Sequence, residues 1–280
     1  MINKIILGIY KSLPPKMRNG IGESLYLKPF RNVFLRSHGS YRETKVLIKR
    51  DYLMYTVNFY FFASFKVAAK AAKNGIENTI LRNSISLIKN LKTKKNDAVV
   101  LDVGANFGYL SLVWANSISQ NGKTFAFEPN INVHNSFKNS IDFNKLESNI
   151  KLNNLAVGKN DGISELYLSS TTSNILQAGM QVNNKTCIEM VSLDSFSVIN
   201  NIDRCDLVKI DVDGIELDIL MGATDLIERC KPIFIVETND DPSIIDFFDQ
   251  YDYQILDMKL NLFKSEDPLP SNIFCTPKSN

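Results

Sequence analysis

The chain has 280 residues, of which 44% are apolar, 10% aromatic and 22% charged, with a formal net charge of +2. Those proportions exclude a fibrous repeat, wholesale disorder and a disulfide-stapled miniprotein: 13 Gly, 9 Pro and 4 Cys are too few, and the apolar content fills a core. The near-neutral total conceals two opposite halves, because 19 Lys+Arg face 4 Asp+Glu up to Asn96, whereas 13 face 26 from Asp97 onward.

The basic half either neutralises the acidic half across an internal interface or meets an anionic partner, such as a membrane surface, a phosphorylated glycan carrier or nucleic acid. Near the start, Ile5, Ile6, Leu7 and Ile9 form too short an apolar run before Pro14 and Pro15 for a signal segment, so a cytoplasmic location is expected. The uncharged run 52–65 falls short of the roughly 18 to 20 residues that cross a bilayer. It reads as a buried helix or strand, or as an interfacial segment that holds the protein peripherally at a membrane. Its aromatics Tyr52, Tyr55, Phe59, Tyr60, Phe61 and Phe62 suit packing, with stacking on a sugar as the alternative. Helices are expected at 67–74 and 78–92; in the second, Ile80, Leu81, Ser84, Ile85, Ile88 and Leu91 share one face. The tract KTKKND then marks a boundary, giving a basic, mainly helical arm over 1–96 and a second unit over 97–280.

In the second unit, short apolar runs at 98–103, 124–128, 150–157, 206–211 and 232–238 alternate with helical stretches. That alternation predicts an α/β fold with a doubly wound, mostly parallel Rossmann-like sheet. The first helix, over 107–119, turns Leu110, Val113, Trp114 and Ser117 to one face; the second, after Ile131, turns Phe137, Ile141 and Phe143 inward. Strands at 253–257, 259–264 and 271–276 add an antiparallel edge. Ligands of such sheets lie at the carboxyl ends of the strands. The cysteines 187, 205, 230 and 275 have no paired spacing and no nearby His, which points to free buried thiols.

Candidate site residues fall at those strand ends. The first strand runs into Asp102, Gly104, Ala105, Asn106, Phe107 and Gly108, a glycine turn that admits a ligand to the backbone and opens a helix N-terminus. An acid before the first glycine opposes a pyrophosphate and favours an amino group or a sulfonium, both present in S-adenosylmethionine. Glu128, followed by Pro129, ends the second strand 26 residues after Asp102, where an acid accepts hydrogen bonds from ribose hydroxyls. Asp211, Asp213 and Glu216 crowd the turn after the fourth strand around Gly214. They read either as catalytic carboxylates, with Asp211 and Asp213 able to hold a divalent metal, or as a capping box with Asp213 as N-cap. Lys209, just inside the fourth strand, reads as a core-edge residue or as a partner of Asp211 or Asp213. Of the histidines, His134 follows the ribose acid at a surface or adenine-edge position and His38 lies in the arm, so neither is expected to be a catalytic base.

These segments resemble the FkbM-type methyltransferases, a branch of the class I S-adenosylmethionine-dependent enzymes. The resemblance spans 99–237 and is carried by DVGANFGYLS (102–111), FAFEPN (125–130), NNLAVG (153–158), VSLDSF (191–196) and KIDVDGIELDILMGA (209–223). Family members usually have Glu at Asp213 and Thr at Ser192. The resemblance implies methyl transfer to a hydroxyl oxygen of a glycan or secondary metabolite. Asp102, Gly104, Asn106 and Gly108 would then hold the methionine end, Glu128 the ribose, and Asn154 with Ala156 the adenine, with Asp211 facing the reacting centre. Nucleic-acid methylation is disfavoured, since Asp211-Val212-Asp213-Gly214 stands where an amide-acceptor tetrapeptide would. The non-enzyme alternative is a cofactor-fold module held at a membrane by its arm.

Overall fold

In a computed structural model, the described residues are 40–90, 96–168, 173–175 and 185–278, together with 12, 14, 36 and 37. His38 and Leu91 fall outside them, as does most of the KTKKND tract.

The described part of the basic half begins with the short pair β1 (Arg36–Ser37) and β2 (Ser40–Tyr41). A long antiparallel hairpin follows, β3 (Glu43–Tyr52) and β4 (Tyr55–Ser64). Its residues alternate: Val46, Ile48, Val57, Phe59, Phe61 and Ala63 are buried, whereas Lys45, Leu47 and Lys49 face solvent. That period of two decides the 52–65 run in favour of a strand. Two helices come next, α1 (Phe65–Asn74) and α2 (Asn78–Asn90), close to their expected places. The expectation of a mainly helical arm therefore needs correction, because two 10-residue hairpin strands stand beside helices of 10 and 13 residues.

Beyond residue 96 the chain alternates β5 (Val99–Val103), α3 (Tyr109–Ala115), β6 (Lys123–Phe127), α4 (Ile131–Asn144) and β7 (Ile150–Asn153). After a small sheet come α5 (Leu193–Ile199), β12 (Leu207–Ile210), α6 (Glu216–Met221), α7 (Thr224–Cys230), β13 (Ile233–Glu237), α8 (Ser243–Asp249), β14 (Tyr253–Leu256) and β15 (Asn272–Pro277). The seven-stranded sheet has the order β14-β15-β13-β12-β5-β6-β7. Its pairs β7/β6, β6/β5, β5/β12 and β12/β13 are parallel, and β15 runs antiparallel between β13 and β14. This is the doubly wound α/β sheet read from the sequence, with its antiparallel pair at one edge. The order reverses between β5 and β12, so the crevice outside their carboxyl ends is the topological switch point.

Three local expectations change. Residues 150–157 form two strands, because the chain leaves the main sheet after Asn153 and enters a second sheet as β8 (Ala156–Val157). That sheet, of order β10-β9-β11-β8, contains β9 (Gly162–Leu168), β10 (Ser173–Ile175) and β11 (Lys185–Val191) and was not foreseen. Residues 259–264 contribute one bridge, Leu256 to Leu262, instead of a strand. Phe143 is 48% exposed, its ring edge-on to Tyr60 and covered by the Lys45 ammonium at 3.8 Å.

Alternate residues of the sheet feed two cores. Val100, Ala126, Leu207, Ile233 and Ile235 join the hairpin and helices α1 to α4, whereas Leu101, Val103, Phe127, Val208, Ile210, Phe234 and Val236 pack with α5 to α8. The basic half thus shares its core with one face of the sheet. Between them, all seven residues of α3 are buried. Trp114 Nε1 donates to Ser84 Oγ of α2 at 3.0 Å, and the Tyr109 ring meets Phe59 and Phe61 edge-to-face. Of the cysteines, all free, Cys205 and Cys275 are buried as expected, but Cys230 is half-buried and Cys187 exposed. Among the described residues, no helix is long and apolar enough to cross a membrane.

Candidate active site

A cavity of about 340 Å³ opens at the switch point. Its floor comes from the sheet: Asp102 and the 103–107 turn after β5, Phe127, Glu128 and Pro129 at β6, Leu155 to Val157, and Lys209, Asp211, Val212, Asp213 and Ile215 around the end of β12. Its roof comes from the basic half, through Phe61 of β4, Val67 and Lys70 of α1, and Ile76 and Glu77 of the loop that follows.

The glycine turn leaves no room for side chains. Gly104 has φ +73°, and a Cβ there would sit 2.0 Å from the backbone oxygen of Asp211. Gly108, at φ +78°, caps α3, and a Cβ would lie 2.1 Å from the Phe137 ring. Gly108 does not line the cavity; it lets α3 pack on α4. Asn106 adopts φ 52°, a conformation asparagine tolerates, with its side-chain oxygen accepting from the Phe107 amide at 2.9 Å.

Asp102 is 1% exposed. One carboxylate oxygen, Oδ2, accepts from Ser111 Oγ. The other, Oδ1, is buried without a hydrogen-bond partner; the Lys209 ammonium is 3.7 Å away, beyond hydrogen-bonding reach. Burial raises the Asp102 carboxyl above the usual range, against the opposing pull of Lys209 and Ser111. Glu128, also buried, accepts from the Asn130 amide at 2.8 Å and from the Asn106 amide. Burial nevertheless pushes its pKa up to about 7. Both acids are desolvated at the floor of a cavity, where an unpaired charge is costly and a cationic or hydroxyl-bearing ligand relieves it.

Lys209 is the internal counterion. Its ammonium donates to the carbonyls of Gly104 (2.9 Å) and Val103 (3.3 Å) and lies 3.3 Å from Asp211. Burial alone would lower its pKa, but Asp211, Asp102 and Glu77 together hold it above the ordinary value. Lys209 in turn keeps Asp211 ionised, below the usual carboxylate range. It pairs with Asp211 and not with Asp213. Asp213 is exposed at the cavity mouth with φ 64°, and burial together with Asp211 and Glu216 raises its pKa.

Besides Gly108, two expected site residues stand elsewhere. Glu216 does not line the cavity; it is 2% exposed and accepts from the amides of Val212 and Gly214 and from Asn239 Nδ2, bracing the turn that carries Asp211 and Asp213. The capping-box reading of Asp213 is also corrected, since the N-cap of α6 is Ile215, with no side-chain cap. Asn154 points to the backbone oxygens of Glu128 (2.9 Å) and Pro129 (3.0 Å), where it fixes the loop that carries Glu128 while Ala156 lines the wall. Among the described residues, no group of three or more His, Cys, Asp or Glu side chains is arranged to hold a metal. His134 lies off the cavity, its Nδ1 buried and unpartnered.

Sequence reasoning missed Glu77, Lys70 and Glu237, and preferred packing to sugar stacking for Phe61, which lines the cavity. Glu237 ends β13 one residue past Val236, which pairs with Ile210, and so stands beside Asp211. Burial and a hydrogen bond shared with Asp211 raise its pKa to about 7. The rule that found Asp102, Glu128 and Asp211, an acid at a strand tip, applies to Glu237 equally. Glu77 had a weaker signal, as the one acid between Phe65 and Asn90.

A doubly wound sheet whose switch-point crevice is floored by buried acids and a close-approach glycine turn defines a nucleoside-cofactor fold with a site suited to a cationic group. The Methyltransferase FkbM domain matches residues 102–255, and the chain belongs to that family. It is similar to Methyltransferase 1 of Beauveria bassiana, with 24% identity over 151 residues covering 46% of this chain and 60% of that protein. Among solved structures it is similar to the FkbM methyltransferase of Methylobacillus flagellatus (TM-score 0.45, 14% identity, 75% of this chain and 65% of that one). A further similarity is to precorrin-6y C5,15-methyltransferase of Geobacter metallireducens (TM-score 0.41, 14% identity, 73% and 89%).

Proposed function

We propose that the protein is an S-adenosylmethionine-dependent methyltransferase that acts on a hydroxyl oxygen of a glycan or secondary metabolite. The observation that carries this reading is Asp102 Oδ1, a carboxylate oxygen buried beside the cavity without a hydrogen-bond donor. An ammonium group is the donor such an atom lacks, and a sulfonium adds a second positive charge suited to the acidic floor. Glu128 is placed to accept from ribose hydroxyls, and Gly104 and Ala105 allow the ligand against the backbone. When bound, S-adenosylmethionine supplies an electrophilic methyl group.

The chain's own contribution is alignment and proton removal. Lys209 fixes Asp211 as a permanent anion at the floor. Asp213, whose pKa is raised and which stands at the mouth, is the better acceptor for the hydroxyl proton, because a base works best when its pKa approaches the working pH. The roof excludes water from the floor, and positioning supplies most of the rate.

Calorimetry with S-adenosylhomocysteine is the first test: a saturable heat is expected from the wild type, and its absence from folded protein would overturn the reading. Incubation with methyl-labelled S-adenosylmethionine and a panel of polyols and phenols then tests the acceptor atom. A label that survives mild alkali is an ether and supports methyl transfer to a hydroxyl oxygen, whereas an alkali-labile ester points to a carboxyl acceptor.

A further inference from the structure

The roof carries a feature that cofactor binding does not use. On α1, Lys66, Lys70 and Lys73 recur at the spacing that places side chains on one helix face, and all three are exposed. The opposite face, Phe65, Ala68, Ala69 and Ala71, is buried. The helix contains no acid, and among the described residues none of the three lysines forms an ion pair. The middle one, Lys70, lines the cavity one helical turn from Val67. Glu77, the nearby acid of the roof, is attracted by both Lys209 and Lys70, so a single acid stands near the three lysines of the stripe.

We propose that Lys70 binds an anionic group, a phosphate ester or an acid of similar charge, carried by the methyl acceptor at the end away from the hydroxyl that is methylated, with Lys66 and Lys73 drawing that group to the mouth. This rests on the methyltransferase reading and narrows its acceptor class. Charge segregation is the physical reason. The floor, with Asp102, Glu128 and Asp211, repels an anion and holds a cationic cofactor. An acidic acceptor can enter that cavity in one orientation, its charge against the roof and its hydroxyl toward the floor. A neutral acceptor would have no use for an unpaired cation at this position. A lipid surface is disfavoured as the partner because Lys70 is part of the cavity wall rather than of a flat outer face.

The test uses the full chain saturated with S-adenosylhomocysteine, with inorganic phosphate, glucose 1-phosphate and glucose as probes and binding read by NMR chemical shifts. Glucose 1-phosphate is expected to bind at least about tenfold more tightly than glucose, with inorganic phosphate shifting the same resonances and the difference shrinking in high salt. Lys70→Glu and Lys70→Ala should abolish the preference, and Lys66→Glu and Lys73→Glu should weaken it about two- to threefold each. In Lys66→Glu and Lys73→Glu the S-adenosylhomocysteine affinity should change by less than about twofold, since these two lysines lie outside the cavity wall. Equal binding of glucose and its phosphate by the wild type, or undiminished phosphate binding by Lys70→Glu, would overturn the proposal. So would a stripe whose variants lose only adhesion to phosphatidylglycerol vesicles. Loss of S-adenosylhomocysteine binding by the wild type with phosphate binding intact would instead overturn the cofactor reading.

Discussion

The floor and the roof of the cavity are built on opposite principles. The floor collects carboxylates held by neighbours: buried Asp102 by Ser111, buried Glu128 by backbone amides, half-buried Asp211 by Lys209. The roof presents Lys70 and Glu77 to solvent on a helix and a loop, beside the apolar Phe61, Val67 and Ile76. Groups held by a rigid, desolvated frame are preorganised for one ligand, whereas exposed groups on a separate segment can change with little cost to the fold. The contrast implies that floor substitutions damage folding and cofactor binding together, and that roof substitutions change what is accepted.

The severest break should come from Gly104→Ala. The added methyl would meet the Asp211 carbonyl at 2.0 Å on a backbone of φ +73°, so a loss of about 3 kcal/mol or more in denaturant unfolding is expected. Asp102→Asn preserves shape but removes the charge, and should weaken S-adenosylhomocysteine binding about a hundredfold, roughly 2.7 kcal/mol, in calorimetry. It should also lower the melting temperature, because Lys209 loses one of its carboxylates.

Glu128 sharpens the comparison through pH. Its folded pKa of about 7 lies above the ordinary carboxylate value, so the protonated form is the one the apo fold favours. The stability this provides is complete below the unfolded pKa and is lost as pH rises through about 7. Between about pH 5 and pH 8 the ligand-free protein should lose about 2 kcal/mol from this residue, a slope that Glu128→Gln should flatten in thermal melts at several pH values. The same variant should bind S-adenosylhomocysteine about tenfold more weakly, a gain in stability set against a loss of function. The smallest effect concerns the join between roof and floor. Ser84→Ala leaves the buried Trp114 Nε1 without its acceptor, at an expected cost of about 1 to 2 kcal/mol in unfolding and little change in cofactor affinity.

The floor was largely legible in the sequence because each strand of a parallel sheet is an uninterrupted apolar run, and an acid at its end interrupts it. Asp102, Glu128 and Asp211 could be found in that way, and Glu237 could have been. Glu216 was misjudged because chain proximity to Asp211 says nothing of direction; its carboxylate turns back to the amides of Val212 and Gly214. The roof was harder. Its residues approach the site through packing between segments far apart in sequence, and no local pattern reports that Phe61 or Lys70 would meet Asp102. The hairpin was nevertheless readable from the alternation of Lys45, Leu47 and Lys49 with Val46 and Ile48. The strands of the small sheet, β8 to β11, lack the apolar continuity of the central ones.

The hairpin and the β2 residue before it are also fastened to α4, the helix that follows Glu128. Tyr41 donates to the carbonyl of Asn132 at 2.6 Å, Ser136 donates to Glu43, and Phe62 N donates to Ser140 Oγ at 2.9 Å. For anyone wishing to graft this catalytic unit onto another scaffold, the natural-looking cut near residue 97 is therefore the wrong one. A chimera beginning there would bare the apolar flank of α3 and release the first turn of α4, and soluble recombinants should be those that carry the hairpin along.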